Sequence, residues 1–547
     1  MNAAFRRSSD VMGVFITYSD IFNRKPTVEE VIGDIRKIEI KKALTIISNY
    51  NLYTDKQKNE LIKRLHPFIG TPFILENKIQ AHVFDIINLT YSLKMFLAYG
   101  TEKPVNNFNN SIDDFGNVLM TIFKISDLME DSVDDDIQVQ QTFQKLMLVN
   151  RDKSFLPTIA RQQIFFNEIA KNRILFGSEF VDIHTYFEAE YGYTIQDYLS
   201  VLASVCANIE SRTQGLDDKK LIGVSVDYFK TTKKQEIAQA IFSDITADLS
   251  VLKKQANQSL ANIYDNEFLI SKPFFEYDNH YVLFSPPLLN LGLFDSVCFK
   301  LQRICQKYKK DFFTFFGRLF EQYAEFILGN VTKKAKGISY EFIPEYKYTP
   351  GKDSSDAYIR LGKNLLIIEC KGGRITKEAK INADLTNTED NFQKYVIKPI
   401  KQANEAFENI LKLDPQKFSG VKKVYILSVT LQRFPKLPMY HERLQSELQG
   451  LHPTIVHYDY MSLLDLEVII AYIEKQKKSV FKFIEDKKYY HEYLSYEHYY
   501  AKKYGEVPYL TMHKQQFFSS IEKILENLNQ NDIEFTLRKV AQTTTQE

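Results

Sequence analysis

The chain has no tryptophan, only four cysteines, and no apolar run near the roughly 18 residues that a membrane-spanning helix needs. Each shortage excludes something. Cys206, Cys298, Cys305 and Cys370 form no CxxC pair, so neither a zinc knuckle nor a disulfide framework is expected. Reduced thiols fit a cytoplasmic protein, and no membrane partner is expected. The first twenty residues carry two arginines and a brief apolar run without a small-residue cleavage site, which argues against a signal peptide. No GxxxxGKS/T, HExxH or GxSxG motif occurs, so the chain shows no ATPase, zincin or serine-hydrolase signature of its own. No period of about 20 to 50 residues appears, which removes a solenoid from consideration.

Phenylalanine and tyrosine make up for the missing indole, at 41 and 33 residues, and 44% of the 547 residues are apolar. That is ordinary for a globular chain long enough for several domains. The net charge of +1 hides an asymmetry. Residues 1–299 hold 31 basic and 38 acidic side chains, and residues 300–475 hold 28 and 21. The middle segment is the one that attracts a polyanion, and the acidic first segment is not.

Residues 1–265 read as a mostly helical N-terminal region. Thr27-Val28-Glu29-Glu30 has the form of a capped helix start, and Val31, Ile32, Ile35 and Ile38 follow at helical spacing. Segments 80–100, 112–130, 157–175, 195–211 and 232–264 read the same way. Residues 266–300 form a connector. In it, Phe274–Tyr277 and Tyr281–Ser285 pair as a hairpin around Asp278-Asn279, and Pro286-Pro287 ends the pair. Residues 301–475 give an α/β unit. A helix over 311–329 leads to strands at 338–344, 356–361 and 365–370, then a helix over 388–411 and a strand at 421–430. Another strand and helix follow, at 454–458 and 460–474. Residues 476–547 read as a helical C-terminal extension. The fold class is therefore multidomain, α plus α/β, with a mixed sheet flanked by helices.

The informative stretch is SSDAYIRLGKNLLIIECKGG, residues 354–373. Asp356 opens one strand, Gly362-Lys363-Asn364 makes the turn, and Leu365–Lys371 is the partner strand. Strand side chains alternate faces. Leu366, Ile368 and Cys370 share one face, taken as the apolar one, and Ile367, Glu369 and Lys371 share the other. The hairpin brings Asp356 to the same end as Glu369. Two carboxylates at one point repel unless a cation joins them. Mg²⁺ prefers oxygen ligands and keeps room for water and phosphate oxygens, and Mn²⁺ can substitute. A lysine beside such a centre positions the attacking water or offsets charge in the transition state.

Asp356, then Glu369-Cys370-Lys371 after four aliphatic residues, resembles the signature of the PD-(D/E)XK nuclease superfamily, the restriction-endonuclease-like enzymes. The resemblance covers about residues 300–475. It implies a mixed sheet flanked by helices, metal ligation by Asp356 and Glu369, and a catalytic role for Lys371. It also implies a further glutamate on the preceding helix, where Glu321 is the candidate and Glu325 the second choice. A glutamine on the following helix would be Gln402, with Gln393 as rival. Ser355 stands where the signature's name has proline, a departure shared by many members. Asp353 competes with Asp356, but it precedes the strand and lies in a Gly/Ser-rich loop. The implied activity is Mg²⁺-dependent phosphodiester hydrolysis, most naturally as a DNA endonuclease and, by analogy, a bacterial antiphage-defence effector. The alternative is a catalytically inactive nuclease fold that binds nucleic acid or protein.

Gly372 and Gly373 permit close approach of a phosphate backbone or a sharp exit turn. Arg374, Lys377 and Lys380 follow as candidate phosphate contacts, against the simpler reading of solvated surface charge. Tyr489, Tyr493, Tyr496 and Tyr500 fall on one helix face, better suited to packing than to base stacking. His491 and His498 lack a third ligand. The N-terminal region is expected to recognise a partner, regulate the site or form a homo-oligomer.

Overall fold

The computed structural model describes residues 17–53, 57, 58, 60, 86–103, 114–129, 155–212, 223–335, 337–375, 381, 382 and 384–525. Lys377, Lys380 and the last residues of the tail lie outside these.

Local signals explain many of the element ends. Thr27 caps the helix Val28–Ile35 by accepting from the Glu30 amide at 3.1 Å. Asp278 and Asn279 both take positive φ, 48° and 57°, and close the hairpin Phe274–Tyr277 with His280–Leu283. A third strand, Gly223–Ser225, joins that hairpin as an addition the sequence did not reveal. Pro286-Pro287 does end the hairpin, but it also supplies the first turn of the helix Pro286–Lys307, where proline costs no hydrogen bond. The helix expected over 232–264 is two, Gln235–Ile245 and Leu249–Ser259. They are parted where Thr246 turns extended and bridges to Phe274.

The α/β unit is built on a five-stranded mixed sheet. Helix α1 (Phe155–Gln162) precedes it in the chain, and helix α2 (Phe312–Thr332) leads into it. The strands are β1 (Glu341–Pro344), β2 (Ala357–Leu361), β3 (Asn364–Lys371), β4 (Lys423–Thr430) and β5 (Ile455–Ser462). Their spatial order is β5-β4-β3-β2-β1. β1, β2 and β3 are antiparallel neighbours, whereas β4 and β5 run parallel to β3. A parallel neighbour needs a crossover. Helix α3 (Lys398–Leu413) lies in the first, and the helix Pro438–Glu447 in the second. Helices α4 (Leu463–Lys475) and α5 (Thr511–Leu525) follow β5. A small antiparallel pair, Lys347–Thr349 with Lys352–Asp353, fills the β1–β2 link.

Both faces of the sheet are apolar, which corrects the single apolar face expected from β3. Leu366, Ile368 and Cys370 enter the large core shared with α2 and the N-terminal helices. Leu365 and Ile367 are equally buried, in a second core with Ile400, Phe407 and Ile410 of α3. Parallel pairing with crossover helices covers both sides, so β3 reads as a continuous apolar run until Glu369.

The boundaries at 265, 300 and 475 do not separate cores. One hydrophobic cluster runs from Tyr18 to Ile521. α5, from the C-terminal segment, packs against α1 and the helix Ile195–Arg212 of the N-terminal region. At their junction Arg161 of α1 makes a two-bond ion pair with Glu467 of α4, at 2.7 and 2.8 Å. The Tyr323 hydroxyl of α2 donates to Glu467 at 2.8 Å and lies 2.9 Å from His513 Nε2 of α5. Phe165 stacks on Tyr323 at 4.4 Å. Phe165 sits in a π-helical stretch, Gln163–Ile169. Among the described residues no helix is long and apolar enough to cross a membrane.

Candidate active site

Asp356 precedes β2 by one residue. Ala357 pairs with Ile368, so extending that register sets Asp356 across from Glu369. Its Oδ2 accepts a hydrogen bond from the Cys370 amide at 2.6 Å, which ties the half-buried carboxylate to the end of β3. Glu369 is 1% exposed. Lys371 Nζ lies 3.4 Å from Glu369 Oε2, on the same face of the strand. Glu369 Oε1 is buried and has no hydrogen-bond partner of good geometry, and the nearby Ser355 hydroxyl is in the same state. A buried carboxylate left short of donors is unusual and asks for a ligand.

The electrostatics follow from that geometry. Burial pushes the Glu369 carboxyl up to about 8, with the Asp356 charge adding to the rise and Lys371 opposing it. Asp356 is pushed up to about 6, again first by burial, against the pull of Lys371 and the Cys370 amide. Glu321 of α2 is pushed up to about 7 by burial and then by Asp356, with Lys371 and Arg318 opposing. Burial opposes the charge of Lys371, but the carboxylates of Glu369, Asp356 and Glu321 outweigh it and raise its ammonium above the ordinary value. Three carboxyl groups thus compete for one lysine.

The approach of α2 depends on glycine. A Cβ on Gly372 would stand 3.2 Å from the Gly317 backbone and 3.3 Å from Phe320 Cβ, so paired glycines let the helix close on the strand end. A Cβ on Gly373 would fall 2.0 Å from the Tyr395 ring. That tyrosine belongs to a π-helical stretch, Gln393–Ile397, which interrupts the single helix expected over 388–411. Gly372 and Gly373 therefore serve close packing.

The other expected residues separate cleanly. Glu325 bonds to Gln322 at 3.4 Å, and Asp356 is not among the charges that shift it. Gln402 is exposed on α3, and no hydrogen bond joins it to the carboxylates. Gln393 donates to Glu389 and Glu447, both at 3.1 Å, away from the strand end. Asp353 is exposed in the small hairpin, paired with Lys347. The Arg374 guanidinium lies 4.9 Å over the exposed Phe299 ring. The tyrosine face breaks at His491: Tyr489 is 77% exposed, whereas Tyr496 and Tyr500 are buried in a separate helix.

Arg318, Glu345 and Ser354 escaped the sequence reading as site residues, and Ser355 entered it only as the departure from proline. Arg318 Nη1 bridges Glu345 Oε2 at 2.6 Å and Glu321 Oε2 at 3.3 Å, so it holds Glu321 at the rim of the site. Ser355 and its neighbour Ser354 are buried, and the Ser355 amide donates to the Tyr358 hydroxyl at 2.9 Å. Arg318 lies three residues before Glu321, one helical turn away, and this was the available signal. Glu345 carried none.

Among the described residues no group of three or more His, Cys, Asp or Glu side chains is arranged to hold a metal ion. The narrower pair, Asp356 with Glu369, fits a hard cation on other grounds. Both are carboxylates, both are pushed toward protonation, and Glu369 Oε1 lacks a donor. A comparison with protein-family models finds no match, and searches of curated proteins and of solved structures find none either.

Proposed function

We propose that this chain is a divalent-metal-dependent nuclease that cuts internal phosphodiester bonds of DNA. The observation that carries the reading is Glu369, a buried carboxylate beside Asp356 with one unpartnered oxygen and a single lysine. The element order supports it as well: a helix, three antiparallel strands, a helix and a parallel strand, with the charged residues at the end of the third strand. This is the arrangement that the resemblance to PD-(D/E)XK nucleases leads one to expect.

Asp356 and Glu369 would hold Mg²⁺, or Mn²⁺ in its place. When bound, the ion supplies an acidified water and offsets charge on the scissile phosphate. The chain's own groups do the rest. Lys371 presents an ammonium, held protonated by three neighbouring carboxylates, to the phosphate oxygen that gains charge. The Cys370 amide holds the Asp356 carboxylate in place, and the Ser355 hydroxyl stands beside Glu369. Glu321, with its raised carboxyl, is placed to accept a proton from water entering the site, and Arg318 keeps it there.

The test is incubation of full-length protein with supercoiled and linear DNA in Mg²⁺, Mn²⁺ or EDTA. Cleavage that needs the metal and disappears in Lys371→Ala and Asp356→Ala chains of normal fold supports the reading. A second reading is a catalytically silent nuclease fold that binds nucleic acid. The lack of a three-residue metal cage among the described residues favours it. Metal-independent DNA binding without cleavage of DNA or RNA would establish that alternative. Membership of a bacterial antiphage system remains an analogy with the superfamily.

A further inference from the structure

Helix α2 runs past the end of β3, and the nuclease reading makes no use of the part that overhangs. The two meet at Gly317, whose backbone would stand 3.2 Å from a Cβ on Gly372. α2 begins at Phe312, more than a turn before that contact. Phe313 lies on this first turn, one helical turn before Gly317 and so about 6 Å from it along the axis. Phe312, Phe315 and Phe316 turn into the core, whereas Phe313 is 72% exposed.

The short helix Arg173–Phe176 lies beside this turn, with its Phe176 ring 4.9 Å from Phe315. Its Ile174 is 90% exposed. Among the described residues Ile174 is the most exposed large aliphatic side chain, and Phe313 the most exposed phenylalanine. Cations accompany them. Lys171, Arg173, Lys309 and Lys310 are all exposed, and the three lysines form no ion pair with a described residue. Of the nearby acids, Asp311 caps α2 by accepting from the Thr314 amide at 3.1 Å, and Glu168 accepts from Gln516. Glu179 is the third. A bare ring and a bare aliphatic chain among unpaired lysines suit a ligand that has both flat apolar faces and negative charge.

We propose that this overhang is a stacking platform for an unpaired nucleotide of the substrate strand. Phe313 takes the base, and Lys309 and Lys310 take the neighbouring backbone phosphates, so the DNA is cut where a strand is single or opened. The proposal rests on the nuclease reading of Asp356, Glu369 and Lys371, which puts the scissile phosphate at the end of β3, about 10 Å from Phe313. In an intact duplex the base faces already stack on one another, so an exposed ring has nothing to cover. In an unpaired strand they are open. A phenyl ring carries no hydrogen-bonding group, so it accepts any base and leaves the sequence unread.

The test separates binding from cutting by using full-length protein in EDTA. Fluorescence anisotropy is read with a labelled single-stranded oligothymidine and with a duplex of the same length. The single strand should bind more tightly. Phe313→Ala should weaken that binding about tenfold or more, as for loss of one base stack, and leave duplex binding unchanged. Phe313→Trp should keep the affinity. Lys309→Gln and Lys310→Gln should weaken binding of both forms and reduce its salt dependence. Phe313 is exposed, so its variants leave the core intact. Equal single-strand binding by wild type and Phe313→Ala overturns the proposal, and metal-dependent cleavage that persists beside it leaves the nuclease reading standing. Single-strand binding that needs Phe313, in a chain that cuts nothing, keeps Phe313 as the strand-binding residue and overturns only the nuclease reading. Binding to phosphatidylserine vesicles that needs Phe313, without single-strand binding, assigns the surface to lipid and overturns the proposal.

Discussion

Glu369 and Glu467 are both glutamates and both buried, at 1% and 4% exposure, yet they titrate in opposite directions. Glu467 meets Arg161 through two short bonds and the Tyr323 hydroxyl through a third. Burial alone would raise its carboxyl, but the Arg161 charge and these donors hold it below the usual range. Glu369 has one lysine at 3.4 Å, an anionic neighbour and an unpartnered oxygen, and its carboxyl is pushed up to about 8. Where a buried charge serves structure, the fold surrounds it with donors. Where it is left wanting, something outside the chain is expected to complete it.

The largest effect is expected where compensation is complete. Arg161→Leu leaves Glu467 buried without its cation and should cost about 3–5 kcal/mol, measured by chemical denaturation. The loss should reach the α2–α4–α5 junction as a whole. An Arg161→Leu chain as stable as wild type would mean that the junction does not depend on this pair.

The next effect concerns function. Asp356→Asn and Lys371→Ala should each lower metal-dependent cleavage by about a hundredfold or more. The thermal stability of Asp356→Asn should stay at or above the wild-type value, because it removes one of the crowded like charges. Lys371→Ala removes their shared cation and should lower stability modestly while the chain stays folded. A variant that loses activity only by unfolding would put Asp356 and Lys371 in the same class as Glu467.

The comparison also predicts opposite pH profiles. Glu369, Asp356 and Glu321 have folded values raised to about 8, 6 and 7. A carboxyl raised by folding gives stability that is present below its unfolded value and lost as pH rises through the folded one. Metal-free protein should therefore lose stability between about pH 4 and 8 at this end of the sheet. Glu369→Gln should flatten that loss, and Mg²⁺ should reverse it most at the alkaline side. At the junction the sign is reversed. His513 is held down to about 4 by burial, so its contribution is lost as pH falls from about 6.5 toward 4. Melting temperatures across pH, with and without metal, measure both arms. Superimposable profiles for wild type and Glu369→Gln would remove the raised carboxyl from the account.

The two regions differed in how far sequence exposed them. Asp356, Glu369 and Lys371 were readable because strand alternation and one tight hairpin fix their relative placement within sixteen residues. The helix that carries Glu321 was readable from its broad apolar face. The junction was not, since Arg161, Tyr323, Glu467 and His513 come from four helices spread over some 350 residues, and no local period links them. The second apolar face of β3 was missed for a related reason: Leu365 and Ile367 owe their burial to α3 and a crossover, not to the hairpin. Gln402 was placed by analogy of helix position, and helical phase turned it to solvent. Every division between domains was drawn from texture, whereas the return of α5 to the N-terminal helices is a long-range contact.

The smallest effect separates Glu321 from Glu325, one turn apart on α2. Glu321 is pushed up to about 7, shares Lys371 and Asp356 as charged neighbours, and is held by Arg318. Glu325 is raised by its own burial and by Glu345, with no influence from Asp356 or Lys371. Glu321→Gln should reduce cleavage by about tenfold, the scale typical of a supporting group around a metal site, and should shift the acid limb of the pH–rate profile. Glu325→Gln should leave both unchanged. Arg318→Met should move the acid limb to higher pH, since the Glu321 carboxyl is retained but loses the guanidinium that opposes its rise, while the Asp356–Glu369 pair stays in place. If Glu325→Gln lowers the rate as much as Glu321→Gln does, α2 acts on the site only through packing at Gly317 and Gly372, and Glu321 joins Glu467 among the charges that serve structure.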